Sequence, residues 1–170
     1  MKLLNNGLAE RYAKTFGMQI VKVHSAAVIG PGNTAFPRQM IQQPALGRPG
    51  HANWPSGAPR NIVGVADIAQ LYTKIALAGK VMHDTYMGTG PAPTGREIAD
   101  IVIKYLPEAD ITFDEKARVP AWNFDNSRAV KEFDWKIQSL QEMVLDEING
   151  TRQAAGVGPV GGEGERLEQR

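Results

Sequence analysis

At 170 residues the chain has the size of one ordinary domain, and its 42% hydrophobic composition is sufficient for a buried core. A formal net charge of +1 gives no global field that would attract nucleic acid or an anionic membrane. The lack of cysteine excludes disulfides, thiolate nucleophiles and thiolate metal sites, and no apolar run is long enough to span a bilayer. Residues 1–10 also lack the basic-then-apolar pattern of a signal peptide, so we expect a soluble cytoplasmic protein.

The first third of the chain predicts one helix, one strand and a long loop. Apolar residues recur at every fourth position, followed by a glycine suited to a C-cap: Leu4, Leu8, Tyr12, Phe16 and Gly17. Residues 20–23 predict a short strand that leads to a Gly-Pro-Gly turn at 30–32. Residues 33–60 are rich in proline and glycine, and only 37–43 has a helical pattern there. A loop of this length in a compact domain is usually functional or mobile.

Helices and strands alternate after residue 60. Strands are predicted at 61–65, 84–87 and 111–113. Capping residues ahead of apolar stripes predict helices that follow Asp67, Thr94, Asp125 and Ser139. From Thr151 onward large apolar residues are scarce, so we expect a disordered tail over 151–170. The alternation predicts an α/β fold.

The usual signatures of cofactor and metal sites are weak. A dinucleotide-binding turn needs glycines between a strand and a helix, so that backbone N–H groups can hold a diphosphate. The glycine clusters at 30–32 and 88–90 are interrupted or followed by proline, and the cluster at 161–164 lies in the predicted tail. His24, His51 and His83 are far apart and have no carboxylate at ligand spacing, so we expect no metal site.

Five segments carry recognisable motifs in a fixed order. They lie at 2–18, 19–32, 60–69, 86–98 and 119–140. The second ends in Gly-Pro-Gly, the third reads RNIVGVADIA, and the last contains WNFDNSRA followed by FDW. In this order they resemble the C-terminal part of the extended short-chain dehydrogenase/reductase family, in its NAD-dependent epimerase/dehydratase branch. The resemblance implies the C-terminal portion of a Rossmann-type fold, with the N-terminal dinucleotide-binding half absent.

The resemblance places Lys2 on the catalytic lysine of a Tyr-x-x-x-Lys motif, whose tyrosine would lie four residues earlier, before the chain begins. In the family the tyrosine is the acid/base for a sugar hydroxyl. The lysine holds the nicotinamide ribose and lowers the pKa of the tyrosine through its charge. NAD or NADP accepts the hydride and, in epimerases and dehydratases, returns it. Without that tyrosine, Lys2 is equally well interpreted as a solvated lysine at a helix start.

The resemblance also implies further ligand contacts. The loop formed by Ser25, Ala26 and Ala27 would run beside the nicotinamide. Three further residues would contact the substrate: Arg60, Arg118 and Trp122. A guanidinium fork suits a diphosphate, although Arg60 could equally pair with a nearby acid on the surface. Core packing is the favoured alternative role for Trp122. Many nucleotide-sugar enzymes of the family have arginine and asparagine where this chain has His24 and Ala27.

We therefore expect a fragment of an NAD(P)-dependent epimerase/dehydratase that acts on a nucleotide sugar or a related hydroxyl or carbonyl substrate, inactive by itself. The alternatives are a non-catalytic nucleotide-sugar-binding or interaction module and a reductase fragment for a non-sugar carbonyl. We expect residues 1–35 to be a remnant of the Rossmann domain and 36–150 to form mainly the substrate-binding lobe, with 61–80 packing back on the Rossmann sheet. A homodimer is possible. An uncovered first helix predicts self-association of the isolated chain.

Overall fold

The computed structural model describes residues 2–32, 34, 37–119 and 123–161, with the side chains of residues 2–5 left out. Its helices are α1 (Lys2–Phe16), α2 (Arg38–Ala45), α3 (Val65–Leu77), α4 (Gly95–Tyr105), α5 (Ser127–Phe133) and α6 (Leu140–Ala154). Its strands are β1 (Lys22–Ser25), β2 (Ala27–Ile29), β3 (Gly50–Ala52), β4 (Ile62–Gly64), β5 (Thr85–Gly88) and β6 (Ile111–Phe113). The predicted α/β fold is confirmed.

All strand pairs in the described residues are parallel, which requires a crossover between the partners. β1 pairs with β5, β2 with β4, and β3 with β6. Only Ala26 separates β1 from β2, and its backbone N–H donates to the Gly88 carbonyl at 3.1 Å. One extended segment therefore pairs first with β5 and then with β4.

The core has two buried clusters. The larger lies where α2, α4 and α6 pack together, and it contains Met40, Ile41, Val102 and Ile148. The smaller contains Val63, Leu71, Tyr86 and Trp135 and lies among α3, β5 and the residues that follow α5. No helix among the described residues is long and apolar enough to cross a membrane.

Two of the predicted helix starts are confirmed in full. Thr94 and Ser139 each accept the N–H of the glutamate three residues on, and that glutamate accepts the N–H of the capping residue. Asp125 accepts the N–H of Ser127 at 2.8 Å and so stabilises the start of α5. These local hydrogen bonds satisfy N–H groups that a helix end leaves without partners.

The prediction that Asp67 caps α3 is wrong. The helix begins two residues earlier, at Val65, with Gly64 in the N-cap position. Asp67 is buried, and its carboxylate accepts the N–H of Gln138 at 3.2 Å. Burial raises the pKa of Asp67, while the hydrogen bonds from the N–H groups of Gln138 and Gly64 oppose the rise. Asp67 therefore lies in the first turn of α3, where it accepts the N–H of Gly64 and also that of Gln138, which is 71 residues further along the chain.

Two expectations about irregular segments are also wrong. The predicted loop 33–60 contains β3, whose Gly-His-Ala sequence has little strand propensity. The predicted disorder from Thr151 does not hold for 151–161, because α6 continues to Ala154 and Asn149 bonds the backbone of Val160 through both its oxygen and its amide nitrogen. Hydrogen bonding orders this segment where apolar burial is scarce. The rest of the predicted tail, 162–170, lies outside the described residues.

Candidate functional site: a polar cleft with two arginines

A polar cleft of about 580 Å³ opens beside α2. Its lining combines cationic, amide and aromatic side chains: Thr34, Pro37, Arg38, Gln39, Gln43, His51, Asn53, Trp54 and Arg60. None of these lining residues is acidic. The cleft therefore carries positive charge and an excess of hydrogen-bond donors, which suits an anionic ligand.

The amphipathic pattern of α2 supplies one wall. The face toward the core is buried and consists of Met40, Ile41, Pro44 and Ala45. The opposite face consequently turns Arg38, Gln39 and Gln43 toward the cleft. Because the buried face is anchored against α4 and α6, the polar face has a fixed position.

The facing wall comes from β3 and the residues after it. β3 pairs with β6, and His51 Nδ1 lies 3.0 Å from Thr112 Oγ1 on that strand. Trp54 follows and is buried except for a small part of its surface. The guanidinium carbon of Arg60 lies 5.8 Å from the centroid of the Trp54 ring, within the range of a cation–π contact.

The backbone around Arg60 is held on both sides. The N–H of Arg60 donates to the Pro93 carbonyl at 3.0 Å, and Pro59 forms an antiparallel bridge with Thr94. Next in the chain, the buried Asn61 donates to the Gly90 carbonyl and accepts the N–H of Phe124. Arg60 is thus a half-buried cation on a rigid support, the arrangement expected of a recognition residue.

Of the three predicted substrate contacts, one lines the cleft, one does not, and one lies outside the described residues. Arg60 lies in the cleft. Arg118 is exposed after β6 and is not one of the residues that line the cleft. Trp122 lies outside the described residues. The aromatic residue in the cleft is Trp54, which is not one of the predicted site residues, and the same is true of Arg38. His51 was considered only as a metal ligand. The signal that these three residues share is their position in an unusually long proline- and glycine-rich segment.

The residues predicted to face a nicotinamide lie at a strand end. Ser25 closes β1 opposite Gly88 and is exposed, while Ala27 opens β2 opposite Ile62. Ligands of open α/β sheets bind outside the carboxyl ends of the strands, where Ser25 lies. Lys2 is the first residue of α1, and its side chain lies outside the description.

Glycines of the two described clusters, at 30–32 and 88–90, are used in contacts within the protein. The N–H of Gly30 donates to the Glu147 carboxylate, so it is already committed within the protein. A Cβ on Gly30 would lie 2.5 Å from Val65 Cγ1, and one on Gly90 would lie 2.6 Å from the Ile62 carbonyl oxygen. These glycines are needed for close packing. In the described part of the chain, no group of three or more histidine, aspartate or glutamate side chains could hold a metal ion.

Comparison with solved structures defines the class of fold as that of NAD-dependent epimerases and related dehydrogenases, which confirms the predicted structural resemblance. UDP-glucuronic acid 4-epimerase from Bacillus cereus, solved with UDP-glucuronic acid and NAD, is 20% identical with a TM-score of 0.76, over 90% of this chain and 51% of that one. UDP-glucose 4-epimerase from Thermus thermophilus, solved with NAD, is 15% identical with a TM-score of 0.73, over 88% of this chain and 51% of that one.

An enzyme with a different substrate shares the fold. L-threonine 3-dehydrogenase from Trypanosoma brucei is 17% identical with a TM-score of 0.77, over 93% of this chain and 54% of that one. The chain therefore spans about half the length of the structures it resembles. No protein-family model matches the sequence, and a search of curated proteins finds no significant match.

Proposed function

We propose that this chain provides the substrate-binding half of an NAD(P)-dependent epimerase/dehydratase, and that its polar cleft binds the diphosphate of a nucleotide sugar. The observation that carries the proposal is the cleft itself, in which Arg38 and Arg60 lie beside amide side chains and none of the described lining residues is a carboxylate. A guanidinium group such as that of Arg60 matches a diphosphate in charge and geometry. Trp54, held under Arg60, limits the freedom of that cation.

The chain offers candidate contacts for the nicotinamide end of the cofactor. Ser25, Ala26 and Ala27 lie at a strand end where they would pass a nicotinamide, and Lys2 would hold the ribose and support a tyrosine as proton donor. The cofactor would supply hydride acceptance and return. Since Gly30 and Gly90 are occupied by internal packing, the diphosphate of the cofactor would need a grip outside the described residues. We accordingly expect the chain by itself to bind a nucleotide sugar and not NAD or NADP.

Two alternatives share this cleft and differ in the ligand. A non-catalytic nucleotide-sugar-binding module would use the same lining residues without taking part in hydride transfer. A reductase for a non-sugar carbonyl is favoured by His24 and Ala27, which replace an arginine and an asparagine frequent in nucleotide-sugar enzymes. The fold likeness to L-threonine 3-dehydrogenase is compatible with that second alternative.

Isothermal titration calorimetry of the purified chain tests the proposal. We expect binding of UDP-glucose or UDP-glucuronic acid, no binding of L-threonine, and a loss of about tenfold or more in Arg60→Gln, the effect of removing one charged hydrogen-bond partner. Arg11→Gln removes the same charge from an exposed position on α1 and is the matched control. Equal affinity in Arg60→Gln and wild type, or binding of L-threonine alone, would overturn the proposal.

A further inference from the structure

A buried carboxylate lies behind the wall of the cleft. Glu147, on α6, is completely buried in the larger core cluster. Its carboxylate accepts the backbone N–H of Gly30 and, at 2.6 Å, the Nε2 donor of Gln42 on α2. Burying a carboxylate is costly unless donors surround it, so a Glu147 retained inside the core calls for a structural or functional reason.

The two hydrogen-bond partners of Gln42, Glu147 and Arg38, fix the orientation of its amide group. A carboxylate can only accept hydrogen bonds, and a guanidinium can only donate them. Gln42 Nε2 therefore points to Glu147, and Gln42 Oε1 accepts from Arg38 Nε at 2.9 Å. With the amide reversed, both hydrogen bonds would be lost at once. Glu147, Gln42 and Arg38 thus form a directional relay from the core to the cleft.

The hydrogen bond to Gln42 leaves the two terminal guanidinium nitrogens of Arg38 available for a ligand. Only its Nε takes part in a hydrogen bond, while its two terminal nitrogens make none with the residues that the structure describes. An exposed arginine on a flexible stem loses rotamer entropy when it fixes a ligand. Anchoring at Nε removes part of that cost before the ligand arrives.

We propose that Arg38 is a second guanidinium contact for the diphosphate bound beside Arg60, and that Gln42 and Glu147 are positioning residues that act through Arg38. This inference rests on the proposed function for the choice of substrate. The anion-binding property itself does not, because it requires only a diphosphate group. Inorganic pyrophosphate is consequently a suitable probe, and UDP-glucose tests whether the same group is recognised within a nucleotide sugar.

The experiment is a double-mutant cycle on pyrophosphate affinity, measured by calorimetry on the chain. We expect Arg38→Gln and Gln42→Leu each to weaken binding by about tenfold, since each removes or releases one charge-assisted contact. The double variant should bind no more weakly than Arg38→Gln alone, because the proposed effect of Gln42 on the ligand passes through Arg38. Arg11→Gln and Gln70→Leu, at exposed positions on other helices, are matched controls that should bind like wild type.

A second readout separates positioning from a general loss of structure. In nitrogen-15 NMR spectra without ligand, the Arg38 Nε–H should exchange slowly with water in wild type and rapidly in Gln42→Leu and Glu147→Gln. A purely structural role for Gln42 would lower thermal stability, give additive losses in the cycle and leave the Arg38 signal unchanged. That result, or wild-type pyrophosphate affinity in Arg38→Gln, would overturn the inference, as would a wild-type chain that does not bind pyrophosphate.

The two proposals fail in different ways. If Arg60→Gln weakens the affinity for UDP-glucose and Arg38→Gln does not, the relay inference fails and the proposed function stands. If pyrophosphate binds with the predicted dependence on Arg38 while UDP-glucose does not bind, the anion site stands and the proposed substrate is wrong.

Discussion

The first and last helices have the same length of 15 residues but opposite surroundings. In α6 the apolar stripe is fully covered, with Met143, Val144 and Ile148 inside the larger core cluster. In α1 the stripe remains open, and Leu8, Tyr12 and Phe16 are 47%, 52% and 64% exposed. Periodicity therefore predicts where a helix forms, and only tertiary packing determines what its apolar face contributes to stability.

The first consequence of this contrast concerns stability. Ile148→Ala removes a buried side chain and leaves a cavity, so we expect the free energy of unfolding to fall by about 2–5 kcal/mol. Leu8→Ala removes a half-exposed side chain and should change it by about 0.5 kcal/mol or less. Urea denaturation of the two variants measures the difference. Equal losses would mean that α1 is packed as firmly as α6.

The second consequence concerns association of the isolated chain. The open stripe of α1 is an apolar surface that favours contact with another molecule. We expect wild type to self-associate, and Leu8→Glu combined with Phe16→Glu to raise the dissociation constant by about tenfold or more. Sedimentation velocity measures the change, with Val130→Glu on α5 as a control for added charge. A wild-type chain that stays monomeric across the accessible concentrations would remove the basis of this prediction.

The caps of the well-packed helices should have a smaller effect. Ser139→Ala removes the hydroxyl that accepts the Glu142 N–H, and we expect a loss of about 1 kcal/mol in unfolding free energy.

Hydrogen bonds from Ser139 also lower the pKa of Glu142 below its usual 4.5. Their contribution to stability is therefore present above pH 4.5 and is lost as the pH falls through the lowered pKa. In Ser139→Ala, denaturation curves between about pH 3 and pH 6 should show a shallower loss of unfolding free energy, and an unchanged profile would exclude the Ser139 hydroxyl as its source.

The smallest effect is expected at Asp67, which connects α3 to the segment before α6. Burial raises the pKa of Asp67 above 3.8, so the folded protein binds this proton more tightly than the unfolded chain does. The resulting stability is present below pH 3.8 and is lost as the pH rises through the raised pKa. Asp67→Asn stays neutral, so its stability relative to wild type should increase from about pH 3 to pH 7. A constant difference between the two proteins over that range would contradict the shift.

Local chemistry explains which features the sequence could predict. The two capping boxes and the four-residue spacing of α1 depend on neighbours along the chain, and both were predicted to within a few residues. β3 was not, because Gly-His-Ala becomes a strand only by pairing with β6, which brings His51 to Thr112 across 61 residues. Asp67 was misinterpreted for the same reason, since its partner Gln138 is 71 residues away.

The cleft was the least predictable part. Arg60 was singled out through the family resemblance, whereas Arg38, His51 and Trp54 stand in a segment with no motif of its own. They meet Arg60 only because α2 buries its opposite face and β3 pairs with β6. Spacing along α6 also cannot show that Gln42 and the Gly30 N–H would donate to Glu147 in the core.

The central claim is that the cleft between α2 and Arg60 holds the diphosphate of a nucleotide sugar. A crystal structure of the chain with UDP-glucose tests it most directly. We predict density for the diphosphate in the cleft, with its oxygens about 3 Å from the guanidinium nitrogens of Arg60. An empty cleft at saturating UDP-glucose, or the nucleotide bound at another surface, would contradict the account.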